Sequence, residues 1–263
     1  MARTWRGIAV RSSFLVIASV VGVAAAPGNA SAEPANGFGE KSQLILSADR
    51  LMPLLSYSSQ TETSTQGGQT LRTTDSGTSA AFLFGREPSV GIVHTLPRIA
   101  FDFTIVQHLT LGGAFAFALG LGGSHEEEFA NNTSRKSDSP KTSIVGFAPR
   151  VGYVLPLGEV FAFWPRAGFA YYSVSTKDVR FQQNGVVETT TDSDSVFSVD
   201  LDPQFVWAPV QHFFIHFGPI VNIPLTGSRS REVANGTRTD TRKDDLSVFH
   251  FGLSAGLGGW FDL

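Results

Sequence analysis

The sequence predicts an all-β protein, an eight-stranded antiparallel up-and-down transmembrane β-barrel. Three observations predict it. Large apolar residues alternate with small ones along several segments, the connections between these segments are alternately short and long, and the 263 residues include 27 glycines and 22 phenylalanines. Side chains that alternate with a period of two indicate β-strands. The chain beyond residue 32 shows no convincing helical period, which also favours strands.

The N-terminus has the features of a secretory signal peptide. Three arginines precede an apolar run at 14–26, and residues 30–32 have the small-any-small form of a cleavage site. The run is shorter than the roughly 20 apolar residues that a spanning helix needs. We therefore predict a cleaved signal peptide at 1–32, export through the general secretory route, a short N-terminal periplasmic segment at 33–41, and a barrel domain at 42–263.

Composition excludes several other classes of protein. The chain contains no cysteine, so neither a disulfide framework nor a lipid-acylated N-terminal cysteine is available to it. Its formal net charge is −3, from 20 basic and 23 acidic residues, which provides no electrostatic footprint for nucleic acid.

The two faces of the predicted strands differ in the size of their side chains. Along 109–122 one face carries leucine and phenylalanine, while the other carries glycine, alanine and threonine; segments 213–226 and 249–263 repeat the arrangement. A soluble barrel would turn its bulky face inward and present lysine, glutamate and glutamine to water. The small face here fits a narrow lumen and the bulky face fits lipid, so we predict a membrane barrel.

The connections support the same conclusion. Short turns are predicted at 106–109, 155–159 and 209–212, and long polar segments at 58–91, 123–141, 176–194 and 227–244. These connections define eight strands: 43–57, 92–105, 109–122, 142–155, 160–175, 195–208, 213–226 and 245–263. Both termini then lie on the side of the short turns, as in barrels inserted from the periplasm. Residues 78–87 also alternate, and a spanning strand there would raise the count to ten.

The C-terminal residues 258–263, GGWFDL, carry a family resemblance. They match the Gly-x-x-aromatic-x-hydrophobic ending of the small OmpA- and OmpX-like bacterial outer-membrane barrels, and the chain resembles a member of that type from a subfamily of unknown function. The resemblance implies a porin-like β-barrel in the cell envelope of a Gram-negative bacterium, in contact with outer-membrane lipid. It also implies an assembly signal at Gly258, Phe261 and Leu263, read by the barrel-assembly machinery after delivery by periplasmic chaperones. The final Leu263, where phenylalanine is usual, and Gly256, where a polar residue is usual, depart from the pattern.

Five prolines lie on the lipid-facing phase of the strands, near mid-height. They are Pro97, Pro149, Pro165, Pro203 and Pro219. Proline removes one hydrogen bond of the ladder, and lipid offers no replacement donor or acceptor. We therefore predict bulges or widened pairing at these positions.

An arginine follows three of these prolines and therefore faces the lumen. Inward-facing carboxylates lie at similar height, which predicts an ion-pair network of Arg98, Asp102, Arg150, Arg166, Asp200 and Asp202. A turn centred on Gly158 would set Arg150 directly opposite Arg166. The pattern near Arg50 loses its alternation, so it leaves open whether Asp49 joins. The network either fills the lumen or forms a charged constriction for solutes. We favour filling, because an eight-stranded interior is only just wide enough for side chains and isolated buried charge is costly.

These observations predict a non-enzymatic outer-membrane barrel with a side-chain-filled lumen, four polar extracellular loops and a structural or surface-interaction role. The alternatives are a narrow channel or carrier for small or hydrophobic solutes and, with less support, a barrel-embedded enzyme that hydrolyses lipid or peptide. His216 and His250 face the lumen on neighbouring strands, where we expect hydrogen-bonded lumen histidines rather than a catalytic pair. The sequence predicts no catalytic residue, metal site, cofactor or nucleic-acid partner, and we expect a monomer.

Overall fold

The computed structural model describes residues 37–66, 69–80, 94–120, 124–128, 134–138, 141–181, 187–235 and 238–263. The predicted signal peptide, 1–32, lies outside these ranges. The strands are β1 (Gln43–Gln66), β2 (Gln69–Ala80), β3 (Arg98–Val106), β4 (Leu109–Leu119), β5 (Ser124–Glu128), β6 (Ser134–Asp138), β7 (Lys141–Tyr153), β8 (Leu155–Pro156), β9 (Phe161–Trp164), β10 (Arg166–Phe181), β11 (Val187–Leu201), β12 (Gln204–Val210), β13 (Phe213–Asn235) and β14 (Arg238–Asp262).

Eight of these strands form a closed antiparallel ring. Its order is β1, β3, β4, β7, β10, β11, β13 and β14, and β14 pairs back to β1. The short strands β8, β9 and β12 lie below β7, β10 and β11, next to the short turns. We call this end of the barrel the turn end and the opposite end the hairpin end. The predicted eight-stranded up-and-down barrel is confirmed.

Burial alternates along the barrel wall as the face composition predicts. Phe101, Phe115 and Phe117 point outward with 47, 46 and 71% of their surface exposed, whereas Ala100 and Ala114, their neighbours in sequence, are fully buried. Large apolar side chains thus cover the outside of the barrel and small ones line the inside. This is the pattern of a barrel that spans a membrane. In the described ranges no helix has the length and apolar character needed to cross one.

The hairpin end contains more strand than predicted. Residues 176–194 and 227–244, predicted as loops, largely belong to β10 and β11 and to β13 and β14, which continue past the apolar surface as paired ladders. Within 58–91, residues 58–66 extend β1 and 69–80 form β2. These segments are rich in threonine and serine, and threonine favours strands. Of the predicted extra strand 78–87, residues 78–80 end β2 and 81–87 lie outside the described ranges. Among the described residues β2 pairs only with β1, so it is not a ninth member of the ring.

Ion pairs join these strand extensions. Arg229 of β13 contacts Asp194 of β11 at 2.8 Å and Glu62 of β1 at 2.7 Å. The Arg231 guanidinium donates hydrogen bonds of 2.7 and 2.9 Å to the Asp192 carboxylate, which lowers the pKa of Asp192 below its usual value. The polar segments at the hairpin end are therefore held by cross-strand contacts rather than left as irregular loops.

The prolines disturb the wall at some of the predicted positions. Pro165 separates β9 from β10, and Pro203 separates β11 from β12, because each lacks the N–H that would continue the ladder. Pro97 directly precedes β3. Pro149 and Pro219 pair in continuous register on one side, with Gly113 of β4 and Leu253 of β14. On the other side the pairing is interrupted, between Arg150 and Phe147 along the β7–β10 ladder and between Phe217 and Val221 along β13. Local loss of pairing without a shift of register therefore marks these two prolines.

The turn between β8 and β9 changes the predicted register. The Leu157 amide donates to the Phe161 carbonyl at 2.8 Å, so the tight turn is centred on Glu159 rather than on Gly158. The shift moves the pairing by two residues, which keeps both arginines inward but separates them. Arg150 lies opposite Gly168, and Arg166 lies opposite Gly152. The predicted direct opposition of Arg150 and Arg166 was therefore wrong.

Replacing Gly168 by alanine is expected to lower the free energy of unfolding. The added Cβ would lie 2.0 Å from the Pro149 carbonyl oxygen and 2.8 Å from the Arg150 Cα, both in the backbone of the neighbouring strand. Overpacking of this kind costs about 1–3 kcal/mol. Urea unfolding of the protein refolded in lipid vesicles measures the change. Gly113→Ala is the matched control, since its Cβ would come no closer than 3.2 Å to a neighbouring atom. Equal losses in the two variants would contradict this explanation.

Candidate functional site

The charged side chains of the lumen are brought together by a bulge in β1. Between Ala48 and Met52 the strand has two more residues than its partner β14, and Arg50 adopts a φ of 58°. The left-handed conformation at Arg50 breaks the alternation, so Asp49 and Arg50 both face inward and are buried. This bulge explains why alternation alone did not determine the phase near Arg50.

Four carboxylates and four guanidinium groups form the lumen ion-pair network, and each of these residues is at most 6% exposed. Its members are Asp49, Arg50, Arg98, Asp102, Arg150, Arg166, Asp200 and Asp202. The six residues predicted from the sequence are all present, and Asp49 and Arg50 join them. Equal numbers of the two charges make the network formally neutral, as burial in a narrow lumen requires.

Asp49 lies at the centre of the network. One carboxylate oxygen lies 3.4 Å from Nη1 of Arg166, and the other contacts Nη1 of Arg150 and lies 3.9 Å from Nη2 of Arg98. The imidazole of His216 also approaches Asp49, with Nε2 at 3.2 Å from Oδ1. One carboxylate thus neutralises charge from three other strands of the ring.

The remaining carboxylates lie around Asp49 and bind the same arginines. Arg150 donates from Nε and Nη2 to the two oxygens of Asp102, a bidentate arrangement. Asp200 accepts from Arg98 at 2.7 Å and from Arg50 at 2.8 Å. Asp202 contacts Nη2 of Arg166 at 2.6 Å and Nη2 of Arg98 at 3.5 Å. The network is therefore connected through shared partners rather than assembled from separate pairs.

Glycines make room for these long side chains. In one row of cross-strand partners, Asp102 is followed by Gly112, Arg150, Gly168 and Asp200 on successive strands. Charged residues and glycines alternate around this part of the barrel. Because glycine has no side chain, the Asp102 carboxylate can lie over Gly112, where an added Cβ would come within 2.6 Å of its Oδ1. The small inward face found in the sequence thus makes room for charged side chains.

Four aromatic side chains, which we call the aromatic plug, lie inside the turn end below the network. Phe38, from the segment before β1, lies inside the barrel with its ring centroid 5.4 Å from Trp164, 5.1 Å from Phe214 and 5.4 Å from Trp260. All four side chains are at most 1% exposed. Trp164 also stacks under the guanidinium of Arg166 at 4.5 Å. The sequence pattern did not indicate that Phe38 enters the lumen.

On the other side of the network, the segment that precedes β3 leaves the wall: His94 and Thr95 are buried, Leu96 is half-buried and Pro97 is exposed. Strand two was predicted to begin at residue 92, but β3 begins at Arg98, and His94 is fully buried inside the barrel. We call residues 94–97 the strap. Leu96 of the strap packs against a cluster of inward alanines and Tyr172.

The two predicted lumen histidines have separate hydrogen-bond partners. Nδ1 of His216 lies 3.0 Å from the side-chain oxygen of Gln204, and Nε2 of His250 lies 2.8 Å from Oγ of Ser56. Both histidines are buried. The arrangement agrees with the interpretation of hydrogen-bonded lumen histidines, and the sequence pattern did not indicate either partner.

The C-terminal strand presents the predicted assembly signal at the turn end. Phe261 faces outward with 55% of its surface exposed, whereas Trp260 belongs to the aromatic plug. The amide of Leu263 donates to the carbonyl of Ser42 at 3.0 Å, which brings the C-terminus next to the start of β1. Gly258 pairs with Ser47 of β1 and with Phe214 of β13.

The chain is similar in fold to solved outer-membrane proteins, at low sequence identity. No family model matches the chain, and no curated protein matches it. Among solved structures, the outer membrane protein OprG of Pseudomonas aeruginosa superposes with a TM-score of 0.48 at 11% identity, over 85% of this chain and 98% of that one. The outer membrane protease OmpT of Escherichia coli has a TM-score of 0.36 at 10% identity, over 85% and 98%. Ail, the attachment invasion locus protein of Yersinia pestis, has a TM-score of 0.33 at 12% identity, over 84% and 99%.

Proposed function

We propose that this chain is a bacterial outer-membrane barrel whose lumen is closed by its own side chains, with a structural or surface-interaction role rather than an enzymatic one. The observation that carries the proposal is the neutral network of four carboxylates and four guanidinium groups across the lumen. Each charge has a partner of opposite sign within 4 Å, and the aromatic plug lies directly beneath it.

Electrostatics explains why such a network favours a closed barrel. A solute or ion that passed through would have to separate pairs that are already desolvated, which leaves uncompensated charge in a medium of low dielectric constant. The paired ladders at the hairpin end would then be the part of the protein that meets partners outside the cell. Outer-membrane lipid would surround the apolar wall, and the barrel-assembly machinery and periplasmic chaperones would act during biogenesis of the monomer.

Conductance in planar lipid bilayers tests the closed lumen. The unaltered protein is expected to give no stable open current, because the network and the plug fill the interior. The double variant Arg150→Ala and Arg166→Ala removes two of the charges that span it, and is expected to give current or fail to remain folded. Arg231→Ala, at an exposed pair of the hairpin end, is the control and should behave as the unaltered protein does.

Conductance and turnover measurements distinguish the two alternative functions, a channel or carrier and an enzyme. A stable open current in the unaltered protein that is abolished when Arg150 and Arg166 are replaced would favour the narrow channel or carrier, and would overturn the closed lumen. Turnover of phospholipid or peptide by the refolded protein would favour the enzyme. Ser56 and His250 form a hydroxyl–imidazole pair of the kind that hydrolases use, but both are buried inside the barrel. We therefore expect no turnover.

A further inference from the structure

The strap contacts side chains from several strands of the ring inside the lumen. Its His94 carbonyl accepts a hydrogen bond from Nη1 of Arg50, the residue that the β1 bulge turns inward. The His94 ring stacks on His250 of β14, with centroids 5.7 Å apart, and meets the edge of Tyr172 of β10 at 5.6 Å. Leu96 lies against the inward alanines of the wall. The strap therefore covers the ion-pair network on its hairpin side.

The charges around the strap favour uncharged histidines. The groups that face His94 are Arg50 of β1, Arg98 of β3, Tyr172 of β10, Asp200 of β11 and His250 of β14. Arg50 and Asp200 also face His250. These groups include two permanent positive charges and one carboxylate. Asp200 already accepts hydrogen bonds from Arg50, Arg98 and Asn222, so its oxygens are committed.

Three of the four ring nitrogens of His94 and His250 lack a hydrogen-bond partner among the described residues. Among the described residues, neither ring nitrogen of His94 has a hydrogen-bond partner, and Nδ1 of His250 has none. A proton on either ring would therefore add a positive charge next to Arg50, in a buried site where Asp200 is the one carboxylate of the described residues that faces both rings. Protonation of both rings would be still less favourable, because two positively charged imidazolium rings would repel each other at a centroid distance of 5.7 Å.

We propose that the strap is a proton-sensitive cover of the lumen, seated when His94 and His250 are uncharged and released toward the hairpin end when they are protonated. The released state relieves the repulsion by carrying His94 away from Arg50, Arg98 and His250 and into water. The aromatic plug is separate from this device, since its four rings carry no titratable group. Acidification would thus open the hairpin side of the lumen while the turn end stays closed, so the proposal does not require a conducting barrel.

Cysteine labelling tests the proposal, because the chain has no cysteine of its own. The reporter is Leu96→Cys, labelled in refolded vesicles by a membrane-impermeant thiol reagent, and the reference is Thr74→Cys on exposed β2. The ratio of the two labelling rates removes the effect of pH on the reagent. This ratio is expected to rise about tenfold between about pH 8 and about pH 5, as the population of released strap grows. Val206→Cys, a buried position of the turn end, is expected to stay slow at both values.

Histidine variants and an unaltered chain complete the test. The double variant His94→Gln and His250→Gln keeps polar side chains that do not gain a proton. It is expected to abolish the rise of the labelling ratio at low pH. Hydrogen exchange of the strap amides in the unaltered chain, corrected for intrinsic rates, should show the same increase at low pH. An unchanged ratio and unchanged exchange would overturn the proposal. So would an equal rise at Val206→Cys, which would indicate general loosening, or a rise that persists in the double glutamine variant.

Discussion

Replacing Asp49 by asparagine is expected to lower the free energy of unfolding by about 3–5 kcal/mol, the loss typical of removing one partner from a buried ion pair. Asp49 contacts Arg150 and Arg166 and lies within 4 Å of Arg98. The asparagine side chain has nearly the same shape, so the change removes charge without creating a cavity. Four guanidinium groups would then share three carboxylates in a buried site.

Urea unfolding in lipid vesicles, followed by tryptophan fluorescence and by heat-modifiable migration on gels, measures the loss. Asp192→Asn is the matched control, because it removes the same charge from the partly exposed pair with Arg231. Exposed pairs contribute about 0–1 kcal/mol, so the control should change little. Similar losses in the two variants would contradict the central role of Asp49.

Replacing Trp164 by alanine is expected to cost a similar amount, about 3–5 kcal/mol, as for other large buried aromatic residues. The indole fills the lumen between the network and the other rings of the aromatic plug. It stacks under Arg166 at 4.5 Å, meets Phe38 edge-on at 5.4 Å, and donates from Nε1 to Oγ1 of Thr110 at 3.1 Å. Truncation would leave a cavity and a buried arginine without its aromatic partner.

The control for Trp164 is another tryptophan of the same barrel that faces outward. Trp207 is 41% exposed in the structure and belongs to the lipid-facing surface. Trp207→Ala should lose less than half as much stability in the same urea titration, because its removal opens no internal cavity. If truncation of Trp207 were the more damaging of the two, packing in the lumen would contribute less to stability than the structure indicates.

Periodicity made the overall architecture predictable. Alternation with a period of two placed the alanines and glycines inward and the phenylalanines outward, and it correctly oriented Arg98, Arg150 and Arg166. These assignments depend only on which side of a strand a residue occupies. Local sequence determines that side wherever the alternation is regular.

Register and irregular backbone were less predictable. A shift of the turn centre to Glu159 moved Arg150 from Arg166 to Gly168, although neither arginine changed face. The β1 bulge at Arg50 brought Asp49 into the network by breaking the very alternation on which the prediction relied. At the hairpin end, the threonine-rich stretches form strands because they pair with one another, which no single stretch reveals.

The sequence by itself determined a closed eight-stranded barrel with an apolar exterior, a narrow lumen of small residues, and arginines and aspartates inside it. The reason is that face composition and connection length are local properties of the chain. Only the tertiary structure decided which charges meet, and that Phe38 and the strap enter the lumen from opposite ends. Those contacts join residues far apart in sequence, such as Arg50 with Asp200 and Phe38 with Trp260, and their geometry exists only once the ring has closed.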